Sequence, residues 1–123
     1  MSRILVVEDD DSVRQLAARA LERAGHSVET ACDGAEGLDR IVEEEGNYDL
    51  VVSDIRMPAM DGIEMAKTAA ARFPGLRIML VTGFADQRER AADLDGVVVD
   101  VLLKPFTLAS IRDTVARHLR AAA

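Results

Sequence analysis

The sequence predicts an α/β domain, a doubly wound parallel sheet of five strands with helices on both faces. Two observations predict it. Short runs that are apolar throughout recur along the chain, and between them the apolar residues switch to helical spacing. A run with no polar face is a strand buried on both sides, as in a parallel sheet covered by helices. Alternating strands and helices then join into βα units by right-handed crossovers. Aromatic residues are only 3% of the chain, so the core is aliphatic.

Ile4-Leu5-Val6-Val7 is the first strand. From Asp11 to Ala24 the residues Val13, Leu16, Ala17, Ala20, Leu21 and Ala24 recur at helical spacing, with Asp11 or Ser12 as cap and Gly25 as stop. Ser27 to Ala31 is a second, weaker strand. Asp33-Gly34 turns the chain into a helix from Ala35 to Glu45, with Leu38, Ile41 and Val42 inward and Gly46-Asn47 at its end. Leu50-Val51-Val52 is the third strand, and residues 54–62 form a loop carrying Pro58. Asp61 caps a helix from Gly62 to Arg72, with Glu64 placed for a capping box, and Phe73-Pro74-Gly75 stops it. Ile78 to Val81 is the fourth strand. The charged stretch Ala85 to Leu94 reads as a weakly anchored helix. Val97 to Leu103 is the fifth strand. Thr107 caps a last helix with Leu108, Ile111, Val115 and Leu119 at core spacing.

Length and charge narrow the function. The 123 residues make a single domain over 1–123, large enough to fold without a disulfide or a metal. Fifteen Lys and Arg against 22 Asp and Glu give a net charge of −7, which argues against a generic nucleic-acid face. No apolar run reaches membrane-spanning length, and the apolar run near Met1 is too short for a signal peptide. One cysteine forms no internal disulfide, so the expected compartment is reducing and the expected localisation cytoplasmic. Cys32 itself is expected to be a small buried or half-buried apolar residue.

In a doubly wound sheet the ligand site lies beyond the carboxyl ends of the strands, at the switch in strand order. Glu8-Asp9-Asp10-Asp11 follows the first strand, Asp54 the third, Thr82 the fourth and Lys104-Pro105 the fifth. Each has a plain reading alone: Asp11 a helix cap, Asp10 a solvated acid, Thr82 a turn residue, Lys104 a loop cation. Together they say more. Glu8, Asp9 and Asp54 converge if strands one and three are neighbours. Their repulsion then raises at least one pKa, and a hard divalent cation such as Mg²⁺ relieves it. A cation, an ammonium and a hydroxyl around a carboxylate suit a phosphoryl group, with Asp as the nucleophile. Lys104 offers a point charge and Thr82 a donor to other phosphoryl oxygens. His26 and His118 lack metal-ligand spacing and a nearby nucleophile motif, so both read as structural or surface residues.

These motifs resemble those of the response-regulator receiver domains of two-component signalling. The similarity runs from ILVVEDD through VVSDIRMPAMDG and IMLVTG to LLKPF, and the flanking helices extend it over essentially the whole chain. It implies a flavodoxin-like (βα)5 fold with strand order 2-1-3-4-5. It implies that Asp54 is the phosphoacceptor, taking phosphate from a kinase phosphohistidine. Glu8 and Asp9 would hold Mg²⁺ with Asp54, Asp9 nearer the ion, and the backbone carbonyl of Arg56 would be a further ligand. Lys104 matches the family lysine, followed by a cis bond to Pro105, and Thr82 the switch hydroxyl. Pro58 and Gly62 would shape the loop after the acceptor. The expected partners are a histidine kinase or a histidine phosphotransfer protein, docking on the first helix. The segment 85–94, the fifth strand and the last helix form the family's usual output or dimerisation face, so a monomer or a phosphorylation-dependent dimer is implied. The protein would be a signalling switch rather than an enzyme with a turned-over substrate.

One departure stands out. Receivers usually carry Tyr or Phe three residues before the lysine, where this chain has Val101. A rotamer switch of that aromatic is impossible here, and Phe84 to Leu94 is the expected alternative readout. Phe84 and Arg56 occupy positions that tune acyl-phosphate lifetime in the family. VTGFAD and the Ala-rich end are similar to CpdR-like single-domain receivers, which prime substrates for a AAA+ protease. The closing alanines read either as a protease tag or as a frayed helix end. A receiver excised from a hybrid histidine kinase is a further reading, against which a native-looking Met1 weighs mildly. Two other classes compete. A haloacid-dehalogenase-like phosphatase would use Asp9-Asp10-Asp11 as its acidic motif, but the chain has no room for a cap domain. A flavin carrier would need a Ser/Thr/Gly-rich phosphate loop where this chain places four acids.

Overall fold

The computed structural model describes residues 2–83 and 98–121. Its elements in chain order are β1 (Arg3–Val7), α1 (Asp11–Arg23), β2 (Ser27–Ala31), α2 (Gly34–Glu43), β3 (Leu50–Asp54), α3 (Gly62–Arg72), β4 (Ile78–Thr82), β5 (Val98–Leu103) and α4 (Leu108–Ala121). The helix expected over 85–94, and with it the proposed readout through 84–94, lies outside the described residues. The five strands form one parallel sheet in the order β2-β1-β3-β4-β5, as expected. Among the described residues no helix is long and apolar enough to cross a membrane.

The all-apolar strands serve two cores at once. Successive side chains of a strand point to opposite faces. Leu5, Val7, Val51, Ile78 and Leu80 pack on one side with Ile41 of α2 and Ile63, Met65, Ala66 and Ala69 of α3. Ile4, Val6, Leu50, Val52, Met79 and Val81 pack on the other with Ala17, Ala20 and Leu21 of α1 and Ile111 and Val115 of α4. β1 is paired to both β2 and β3. The chain leaves β1 for an α1 on one face and leaves β2 for an α2 on the other, so the strand order reverses at β1 and opens a crevice beyond its end.

Several local expectations need correcting. Asp10, not Asp11 or Ser12, caps α1, its carboxylate accepting from the Val13 N–H at 3.0 Å. The α2 helix begins one residue early at Gly34, capped by Asp33, and ends at Glu43 rather than Glu45. Leu16 and Leu108 were expected in the core but are 46% and 39% exposed, and Ala24 is exposed too. Leu16 lines a surface groove with Val13 and Phe106, and Leu108 is the first residue of α4. Cys32 is exposed rather than buried, just past the end of the edge strand, and its thiol donates to the Glu36 carboxylate at 2.8 Å. That acceptor holds the Cys32 thiol above its ordinary pKa. The Asp61 cap on the Glu64 N–H at 2.8 Å and the Thr107 cap on the Ser110 N–H at 2.9 Å are as expected.

Candidate functional site

The parallel register brings the charged residues to one level. Val7 pairs with Ser53, so the next residues, Glu8 and Asp54, stand side by side beyond β1 and β3. The Glu8 N–H donates to the Ala31 carbonyl at 3.1 Å, which extends the β1 ladder by one residue and fixes where its side chain leaves the backbone. Glu8 is 3% exposed. Asp54 closes β3, with its side chain 11% exposed. Asp9 is exposed at the mouth. One carboxylate oxygen from each of Glu8, Asp9 and Asp54 falls within 4.8 Å of the others.

Lys104 reaches into this group from the end of β5. Its Nζ donates to Glu8 Oε1 at 2.6 Å and to Asp54 Oδ2 at 3.2 Å. Its backbone N–H donates to the Thr82 carbonyl at 2.8 Å, so the end of β4 sets the root of the lysine. The bond to Pro105 is cis, as expected. The other Asp54 oxygen, Oδ1, accepts from the Ile55 N–H at 2.8 Å. The carboxylate is thereby oriented from both sides. Thr82 is fully buried and ends β4, one residue beyond Val81, the register partner of Asp54.

The charge does not balance. Three carboxylates face one ammonium. Burial, and then the contact with Asp54, push Glu8 up to about 8 in spite of Lys104. Burial pulls the Lys104 pKa down, but Glu8 and Asp54 more than offset this and raise it. Burial is the larger cause and the Asp54 contact the next, so Glu8 is the member of the cluster whose pKa is raised.

The loop of residues 55–61 frames the other side. It carries the exposed Arg56 two residues after Asp54. Gly62 is demanded by close approach: a Cβ there would lie 2.1 Å from the Asp54 carbonyl oxygen, and its N–H donates to the Ile55 carbonyl at 2.7 Å. Ala59 sits in the left-handed region at φ 69°. The loop also leans on α2, since a Cβ on Gly34 would lie 1.9 Å from the Met60 carbonyl oxygen. The two histidines stay outside. His118 Nε2 meets Asp100 at 2.9 Å on the β5–α4 face, and burial lowers the pKa of His26.

Two contributions were not anticipated from the sequence. Gly34 looked like a turn residue and is a contact between α2 and the acceptor loop. Arg14 was not singled out, yet its guanidinium donates to the Glu8 carbonyl at 2.9 Å. The available signal was a basic residue, Arg14, three positions after the run of four acids Glu8 to Asp11.

Comparison with known proteins agrees with this fold. Residues 4–116 match the family model described as the response regulator receiver domain. The response regulator receiver protein CpdR of Brucella abortus is 39% identical over 122 residues, covering 99% of this chain and 100% of that protein. The response regulator MprA of Mycolicibacterium vanbaalenii is 41% identical over 118 residues, 96% of this chain, and the chain spans about half of its length, 50%. The crystal structure of the response regulator TrrA from Thermotoga maritima, in complex with Mg²⁺ and BeF, superposes with a TM-score of 0.85 at 30% identity, covering 96% of this chain and 99% of that one. The chain belongs to the response regulator receiver domain family.

Proposed function

We propose that this receiver accepts a phosphoryl group on Asp54 from a phosphohistidine, with Mg²⁺ held by Glu8, Asp9 and Asp54 and by the backbone carbonyl of Arg56. The observation that carries the reading is the convergence of three carboxylates within 4.8 Å of one another, two of them in contact with the half-buried Lys104 ammonium. Oxygen ligands with an excess of negative charge suit a hard divalent cation. Such an ion, when bound, neutralises charge developing on the transferred group.

The chain's own residues supply the rest. A carboxylate oxygen of Asp54 attacks phosphorus in line with the leaving nitrogen. The P–O bond forms as the P–N bond breaks, and the electron pair leaves with the imidazole of the donor. The Ile55 N–H and Lys104 Nζ fix the carboxylate before the donor arrives, which lowers the entropic part of the barrier. Lys104 then exchanges its Asp54 contact for a phosphoryl oxygen. The Thr82 hydroxyl, at the end of the neighbouring strand, donates to another. The product biases the domain between two conformers and so changes which surface a partner sees.

Val13, half-exposed Phe106 and exposed Leu16 line a groove with Pro105 and Lys104 at the mouth of the site. This groove is where the histidine-bearing helix of a kinase or phosphotransfer protein seats in the cytoplasm. Similarity to CpdR-like receivers extends the proposal to an output through contact with a AAA+ protease.

Intact mass after incubation with acetyl phosphate tests the reading. One phosphoryl group is expected on the wild type with Mg²⁺. It should be absent without Mg²⁺ and absent from Asp54→Asn. Labelling of Asp54→Asn would overturn the assignment, and steady release of phosphate from an organic ester would favour a phosphatase.

A further inference from the structure

We infer that Arg14 is a positioning residue for Asp9, the exposed member of the carboxylate group. The inference rests on the reading of Glu8, Asp9 and Asp54 as a Mg²⁺ site. Arg14 stands in the second turn of α1, with its side chain only 17% exposed. Its Nη1 donates to the Glu8 carbonyl at 2.9 Å, and its Nη2 pairs with the Asp11 carboxylate. Those two anchors bracket Asp9, one residue before it and two residues after. Between them Asp10 caps α1 through the Val13 N–H. The turn from β1 into α1 is thus closed on itself by side chains on both flanks of Asp9.

The need for such a clamp follows from burial. Packing holds Glu8 and Asp54, but packing cannot hold an exposed Asp9. Its direction is inherited from the backbone of its turn. Arginine suits the task because its planar fork reaches two acceptors in fixed relative positions. A lysine brings the same charge without the fork.

Charge and geometry make opposite predictions here. The Arg14 guanidinium, held on the Glu8 backbone carbonyl, is a positive charge at the edge of the site and as a charge opposes an added cation. If Arg14 acted only as a charge, removing it would tighten Mg²⁺ binding. If it positions Asp9, removing it weakens Mg²⁺ binding, by about 10-fold on the scale seen for residues that orient metal ligands.

The test is calorimetric titration of Mg²⁺ into the full chain as wild type, Arg14→Ala, Arg14→Lys and Asp54→Asn, with thermal melts of each without Mg²⁺. Weaker binding by both Arg14 variants supports the inference, and Arg14→Lys alone decides it if Arg14→Ala does not fold. Unchanged or tighter binding by folded Arg14 variants overturns it while leaving the Mg²⁺ site intact. Wild type that binds no Mg²⁺, or Asp54→Asn that binds it as wild type does, overturns the underlying site reading instead. Amide exchange at Asp9 and Asp10 in the metal-free protein gives a second readout, expected to quicken in Arg14→Lys.

Discussion

Arg3 opens β1 and Glu8 follows its end, and the two ends of this one strand treat charge in opposite ways. At the first, Arg3 pairs with Glu29 at 2.6 Å and with Glu44 at 3.1 Å, and lies 4.7 Å from the centre of the Tyr48 ring. The Tyr48 hydroxyl meets Glu29 at 3.3 Å, and Arg40 approaches the same carboxylate at 3.9 Å. Arg40 also lies 3.5 Å from Glu36, so two cations face three acids, all between 30% and 42% exposed. At the second, a single ammonium faces Glu8 and Asp54, with Asp9 at the rim. The ionic side chains of Lys104, Glu8 and Asp54 are 25%, 4% and 11% exposed. A wetted network in which each acid already has a guanidinium partner gains little from an added ion. A more buried one, with one ammonium for three acids, gains from an added cation, and that is where a ligand site is expected.

The comparison breaks most visibly at Lys104. Lys104→Met removes the one ammonium shared by Glu8 and Asp54. Labelling by acetyl phosphate should slow by about 10²–10³-fold, as when one stabilising donor is lost from a preorganised site. Mg²⁺ affinity should hold or rise, since a competing cation has gone. A variant that labels at the wild-type rate would show that the ammonium is only structural.

Gly34 and Gly37 sharpen it next. Both are buried, in the same helix. A Cβ on Gly34 meets the Met60 backbone at 1.9 Å, whereas one on Gly37 meets Met65 and Val7 side chains at 2.9 Å. Each alanine variant should lose about 1–3 kcal/mol in denaturant unfolding. Only Gly34→Ala should also slow labelling, because only it pushes the loop that follows Asp54.

The pH dependence comes third. Glu8 is raised from 4.5 to about 8 in the fold. Between those values the native state holds a proton that the unfolded state has released, so stability falls as pH rises through this window. With Lys104 opposing, the metal-free protein should lose roughly 1–3 kcal/mol from this group. Glu8→Gln should flatten that part of the profile, and saturating Mg²⁺ should reverse it. Stability rising from pH 5 to 8 in the metal-free wild type, with no change in Glu8→Gln, would contradict the electrostatic reading.

The smallest effect belongs to the more exposed, Arg3 end. Glu29→Gln should shift the melting temperature by only a few degrees and leave labelling at the wild-type rate.

The layout of the sheet was legible because its strands are apolar on both faces and its helices carry caps at their starts. The candidate site was legible because four of the five strands lead at their carboxyl ends into one of its residues, Glu8, Asp54, Thr82 and Lys104, so order along the chain translates directly into neighbours in space. Exposure was not legible. Helical spacing puts Leu16 and Leu108 on the apolar stripes of their helices but does not say which positions of a stripe are covered. Cys32 is apolar by habit and exposed by place, one residue past the edge strand. The roles of Arg14 and Gly34 depend on where a backbone carbonyl comes to lie, at Glu8 and at Met60. Such contacts are set by the packing of one element on another and leave no spacing in the sequence.

The most direct test is ¹⁹F NMR of beryllofluoride added to the protein with Mg²⁺, in wild type and in Asp54→Asn. Beryllofluoride reports an acceptor carboxylate with its cation without requiring a lasting covalent phosphate. A bound fluoride signal in the wild type that needs Mg²⁺ and vanishes in Asp54→Asn is the expected result. The same signal in Asp54→Asn, or none in the wild type at saturating Mg²⁺, would contradict the assignment of this carboxylate cluster as the phosphoacceptor site.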